Sequence, residues 1–323
     1  MLIHPASLWY LKVSEQDCAN LLMRARWPDG FRCPRCGSRA HYRVSGRRLP
    51  LFVCAVCRRQ VSLISGTVME RSRVPLQKWF TAIVLISSGP ISAVALAEQI
   101  RVTYKTAWLM LHKLRSAMSR HEEFERLTGL VRFNLGKLGT RMPWLSCNLG
   151  DWEHPFVIGG SMEGSRDGRV TGIKLMQDTG GDTYIFKITP EGALRFIDKY
   201  VDLNRAVIDL HTDSTGRTLV FPLWNIADSI ACRIGATHRG VSTKHMQSYL
   251  HEHAYRFNRT CSGHSAARHL LELGAASGAP TQKQLRDRPV PGRPDWDSWR
   301  NAFRMVRELQ ALAARFMPQA AGA

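Results

Sequence analysis

Cys33-Pro34-Arg35-Cys36 and Cys54-Ala55-Val56-Cys57 form two C-x2-C knuckles with 17 residues between them. Each such turn points two thiols at one spot, and two turns complete the tetrahedral four-sulfur shell that structural Zn2+ prefers. Gly37 directly follows the first knuckle, where a tight turn benefits from a residue without a Cβ. Between the knuckles, Tyr42-Arg43-Val44 and Leu51-Phe52-Val53 are short β-prone runs around Ser45-Gly46-Arg47. The expectation is a zinc ribbon over residues 20–70, with Cys33, Cys36, Cys54 and Cys57 as the metal ligands.

Charge narrows the choice of partner. The chain has 45 Lys+Arg against 26 Asp+Glu, and residues 1–128 hold 20 basic and 8 acidic residues, a net +12. A field of that sign attracts polyanions and speeds encounter with them. Arg32, Arg35, Arg39, Arg43, Arg47, Arg48, Arg58 and Arg59 crowd the ribbon, far more than the formal −2 of a zinc–tetrathiolate site would offset. Arginine at that density on a small rigid scaffold suits phosphate contact, with Arg35 and Arg58 as named candidates. Met1 to Leu11 lacks the charged stretch and apolar run of a secretory signal, and no apolar run reaches the ~18–20 residues of a membrane helix. A cytoplasmic protein with reduced cysteines and no membrane partner is therefore expected.

The next segment reads as helical. Leu76, Trp79, Phe80, Ile83 and Ile86 share one helical side and belong to a core. Ser87-Ser88-Gly89-Pro90 ends that run. A short helix over 91–100 is followed by Arg101-Val102 and by a second helix that Thr103 caps, reaching about Met118. Two short helices with a brief turn, the second basic, fit a helix-turn-helix over residues 73–120. Ala107, Leu111, Leu114 and Met118 would pack inward. Lys105, His112 and Arg115 would face DNA, and 120–127 would be a linker.

From Gly129 the pattern changes to strands at 130–133, 156–158, 173–176 and 184–188, then a helix over 190–200. Ala206 to His211 reads as a central strand leading to Thr212-Asp213-Ser214, and Ser242 opens a long helix through about Asn258. That order is compatible with an RNase H-like α/β domain over 129–273, giving a multidomain α+β chain.

Several stretches together resemble the insertion-sequence transposases of the ISXO type. They are Trp27 through Gly37, the second knuckle with Gln60, and Ser65-Gly66-Thr67. Thr103 through Trp108 with His112-Lys113-Leu114-Arg115 follow, and then Gly240 through His245 leading to Arg256-Phe257-Asn258-Arg259. The resemblance implies a zinc ribbon and helix-turn-helix that bind double-stranded DNA at terminal inverted repeats. It also implies an RNase H-like domain whose three carboxylate-type ligands hold two Mg2+ ions for strand cleavage and transfer. Asp213 matches the second family aspartate. Glu252 on the long helix is the natural third ligand, with Asn258 competing for that role and Arg259 following seven residues after Glu252. Asn134 stands where the first aspartate should be, and Arg132 lies two residues earlier on the same strand face. A neutral amide cannot supply the charge of a metal-bridging carboxylate. The resemblance thus leaves two functions open: an active transposase, or a non-catalytic DNA-binding protein derived from one. On this reading Asn134→Asp, with Arg132→Glu, would restore part of a Mg2+-dependent nicking activity.

Residues 274–294 read as a linker. Trp296, Trp299, Phe303, Val306, Leu309, Leu312 and Phe316 form one helical stripe, which suits docking on the protein or on a second subunit, so a homo-oligomer is compatible with it.

Overall fold

The computed structural model describes residues 13–44, 46–138, 154–164, 168–178, 190–209, 220–263 and 265–289. The expected strand over 184–188, Asp213 and the C-terminal stripe of 296–316 lie outside them. The chain divides into two compact units, one of residues 1–121 with 251–288, the other of 122–250 with 289–323.

The first unit opens with α1 (Glu15–Arg26), which no sequence pattern had announced. Ser14 and Asp17 form a reciprocal capping box at its start, satisfying two otherwise orphaned N–H groups. The ribbon follows as β1 (His41–Val44), β2 (Leu51–Cys54) and β3 (Gln60–Ser62), an antiparallel sheet in that order. Its small apolar centre is aromatic: Trp27 meets Phe31 and Phe52 edge-on at 5.1 and 4.9 Å, and Phe31 stacks on Phe52 at 5.4 Å. Arg26 ties the end of α1 to the sheet by donating from Nη1 to the Ser62 and Leu63 carbonyls, both at 2.7 Å. Burial lowers the Arg26 pKa to about 10, with Glu70 opposing the shift.

Three helices complete the N-terminal part: α2 (Leu76–Ser88), α3 (Ala93–Ile100) and α4 (Tyr104–Phe124). The apolar periodicity was a sound guide here. Leu76, Trp79, Phe80, Ile83, Ile86, Ala107, Leu111, Leu114 and Met118 are all buried in one core with the ribbon residues Phe31, Phe52 and Leu63. Thr103 accepts a bond from the Thr106 N–H at 3.3 Å, as its capping role requires. The helix it opens continues through 120–124, where a linker was expected.

The second unit holds β4 (Leu127–Leu138), β5 (His154–Glu163), β6 (Arg169–Gln177), α5 (Pro190–Tyr200), β7 (Val201–Asp209) and α6 (Phe221–His238). Strand order is β6-β5-β4-β7: β4, β5 and β6 are antiparallel neighbours, while β7 runs parallel to β4. The strand expected to be central, β7, is thus an edge among the described residues, and β4 occupies the interior. Alternation along β4 sends Val131, Phe133 and Leu135 into a core with Phe196, Ile197 and Tyr200 of α5. Gly159 and Gly160 permit close packing on both faces of β5: an added Cβ would meet Phe196 at 2.5 Å from one and Leu223 of α6 at 2.6 Å from the other. Helix α6 had no counterpart in the sequence reading.

The last helices are α7 (Thr243–Cys261), α8 (Ala266–Ala276) and α9 (Gln282–Arg286). Residues 251–288 belong to the first unit, which corrects the expected boundary at 273 and the expected linker after it. The reason is packing: Leu270 and Ala275 of α8 join the first unit's core, and the Gly274 carbonyl accepts the Val68 N–H at 2.9 Å.

Candidate metal centre and nucleic-acid interface

Each knuckle is closed by one backbone bond, Gly37 N–H to the Cys33 carbonyl at 2.9 Å and Arg58 N–H to the Cys54 carbonyl at 3.0 Å. The β1–β2 hairpin sets the knuckles against each other, so that Cys33 and Cys57 Sγ are 3.5 Å apart and Cys36 and Cys54 Sγ also 3.5 Å. All four sulfurs lie within 4.8 Å of one another. A tetrahedral shell with Zn–S of about 2.3 Å has sulfur–sulfur edges of roughly 3.8 Å, so the donor set fits one structural Zn2+. Burial pushes the Cys33 thiol up, but the N–H groups of Cys36 and Arg35 outweigh it and bring the pKa down to about 6. The Cys57 N–H lowers Cys54 in the same way. Cys18 behaves oppositely: buried in α1 and close to Glu15 and Asp17, it is raised to about 11 and stays a core thiol.

Around this cluster, residues 30–69 contain eight arginines and no Asp or Glu. Arg35 and Arg58 are exposed, as a phosphate contact requires. On α4 the expected reading face is only partly realised. Lys105 is exposed, but His112 and Arg115 are 2% and 1% exposed, which removes them from a DNA-facing surface. Arg115 Nε instead donates to Glu252 Oε2 at 2.5 Å, and Arg256 contacts the other carboxylate oxygen of Glu252. Arg256 also donates to the Ile86 carbonyl at 3.1 Å, so this buried triad joins α2, α4 and α7. Burial raises the Glu252 pKa, and the opposing guanidinium charges of Arg115 and Arg256 more than reverse it, holding the group well below the usual carboxylate range.

Of the residues assigned to a divalent-ion site, Asp213 lies outside the described residues. Asn134 is buried on β4, where its Nδ2 donates to the Val220 carbonyl at 3.0 Å and its Oδ1 accepts the Val220 N–H at 3.2 Å. Arg132, on the same face, pairs with Asp209 at 2.9 Å, its direct neighbour in the parallel β4–β7 register. The Asn134 amide is thus engaged at both ends, and the Glu252 carboxylate is neutralised by two arginines. The sequence reading missed Asp209 and Val220. Asp209 stands four residues before Asp213, and the motif match favoured the later residue.

Residues 13–60 match the transposase zinc-ribbon domain of the IS1595 family. The chain is also 35% identical, over 107 residues, to a protein described as uncharacterized in transposable element ISH50 of Halobacterium salinarum. That match covers 33% of this chain and 36% of the relative, so the chain spans about a third of that relative's length. No solved structure matches. Both similarities support an insertion-sequence type of transposase: the chain carries the zinc-ribbon domain of that class, with its four cysteines clustered as such a ribbon needs. No helix among the described residues is long and apolar enough to cross a membrane.

Proposed function

We propose that the chain is a duplex-DNA-binding protein of the insertion-sequence transposase type, which recognises transposon-end repeats and does not itself cleave strands. The ribbon, zinc-loaded and arginine-rich, contacts the phosphate backbone, and the start of α4, with Lys105 and the exposed Tyr104, reads the groove. The second unit is an RNase H-like domain in this reading. Three antiparallel strands, a helix and a strand parallel to the first support it.

One observation carries the non-catalytic half: the double hydrogen bond that Asn134 makes to Val220. The position of the bridging carboxylate is filled by a side chain that must be a donor as well as an acceptor. An active transposase is the second reading, and the acidic residue Asp209 beside β4 is what favours it. DNA binding is tested by fluorescence anisotropy with a terminal-repeat duplex between about 50 and 200 mM salt, where several phosphate contacts lower affinity by orders of magnitude. Binding indifferent to salt would count against it.

A further inference from the structure

Four non-glycine residues among those described have a left-handed backbone: Arg58 (φ 57°), Arg71 (60°), Arg101 (51°) and Arg239 (56°). All four are arginine, a residue that makes up 35 of 323 positions, about one in nine. Glycine enters this region freely, whereas a residue with a Cβ does so at a cost. The two zinc knuckles provide an internal comparison. The same closing turn is made by Gly37 (φ 72°) in the first and by Arg58 in the second. Glycine is the less strained choice at such a turn, and arginine stands there instead.

None of the four guanidinium groups has a hydrogen-bond or ion-pair partner among the described residues, and all four residues are exposed. Three of them sit in the first unit. Two of these, Arg71 and Arg101, belong to a band of like charge around the start of α2. Lys78 in its first turn donates to the Arg101 carbonyl at 2.9 Å, and Arg48 donates to the Arg73 carbonyl at 3.3 Å, two residues from Arg71. The nearby carboxylate of Glu15 offsets only part of this charge: it pairs with Arg48 at 3.7 Å and caps α2, accepting from the N–H groups of Leu76 and Gln77 at 3.0 and 3.1 Å. Cations gathered by carbonyl contacts repel one another until a polyanion neutralises them.

We propose that Arg58, Arg71 and Arg101 are phosphate anchors for duplex DNA, held at left-handed turn corners where glycine would serve the fold alone. Together with Arg73 and Lys78 they extend the DNA-contacting surface from the ribbon past α2 to the α3–α4 turn. This rests on the DNA-binding reading above, which already names Arg58, and adds to it Arg71 and Arg101, which no motif marks.

The test replaces all three by glycine in the full-length, zinc-loaded chain and measures Tm and duplex-DNA affinity against salt. The expected result is an unchanged or higher Tm with a log–log salt slope shallower by about 0.9 per lost contact. That comes to about 2.7 for three. A parallel variant with lysine at the three positions keeps most of the slope. An unchanged slope in the glycine variant overturns the proposal, as does a fall in Tm with binding intact, since the arginines would then serve the fold. A slope lost on RNA but kept on duplex DNA overturns the choice of partner. Failure of the unaltered chain to bind DNA at all overturns the parent reading and this one together, and is distinguished by that control.

Discussion

Asn134 and the Val220 peptide bond each other twice, the side-chain amide donating to the carbonyl at 3.0 Å and accepting from the N–H at 3.2 Å. The pair joins the interior strand β4 to the residue that leads into α6, and it needs both halves of an amide. An ionised carboxylate at this position keeps an acceptor for the N–H and places a charge against a carbonyl oxygen.

Asn134→Asp is therefore expected to destabilise the second unit by about 1–3 kcal/mol, more if the carboxylate ionises in place. It should not install a metal centre. This reverses the expectation drawn from the sequence, where the substitution looked like a repair. Thermal unfolding followed by circular dichroism, with and without Mg2+, checks it; a variant of undiminished Tm that gains stability from Mg2+ would show that the site can open.

The ribbon was legible because its constraint is local. Cys33, Cys36, Cys54 and Cys57 report their own geometry through spacing, and the β1 and β2 runs between them had only one short turn to bridge. The inward faces of α2 and α4 were legible for a similar reason, since Leu76 to Ile86 and Ala107 to Met118 repeat at the helical period. What could not be read was which polar residues would be buried. Arg115 and His112 follow the same period as Lys105, and only the arrival of Glu252, 137 residues after Arg115 along the chain, turns that stretch of α4 inward. Helix α6 was missed because Phe221 and Trp224 remain exposed while Leu223, Ala227, Ile230 and Ile234 are buried, which blurs its apolar face.

The Arg115–Glu252–Arg256 triad predicts a contrast between two residues once assigned the same role. Arg115→Ala leaves a buried carboxylate short of a partner and should cost about 3–5 kcal/mol. Lys105→Ala, on an exposed first turn, should change stability by no more than about 0.5 kcal/mol, roughly 1–2 °C in Tm, while weakening DNA binding. Urea unfolding and DNA titration of the two variants check this. Equal effects on binding with no difference in stability would mean that Arg115 reaches DNA after all.

The same triad has a pH signature. Because the folded-state pKa of Glu252 is depressed, its contribution is fully present above the unfolded value of about 4.3 and is lost as pH falls through the lower folded value. The stability gap between the wild type and Glu252→Gln should thus be flat from neutral pH down to about 5 and close only in stronger acid. A gap that closes between pH 8 and 6 would place the controlling titration on another group.

Cys36→Ser or Cys57→Ser should lose the metal and unfold the ribbon, since a structural zinc site contributes folding free energy directly. Trp27, packed on Phe31 and Phe52, gives a fluorescence report of that loss. Elemental analysis of the purified chain should find one Zn2+ per molecule. A folded ribbon without zinc would contradict the assignment of the four thiols.

The central claim is DNA binding without strand chemistry, and one experiment addresses both halves. The zinc-loaded full-length chain is mixed with a labelled terminal-repeat duplex in Mg2+, and binding and nicking are read from the same samples. The account predicts salt-sensitive binding and no nicking above the protein-free control. Mg2+-dependent nicking by the unaltered chain, abolished by Asp213→Ala, would contradict it and show that the centre works without a carboxylate at position 134.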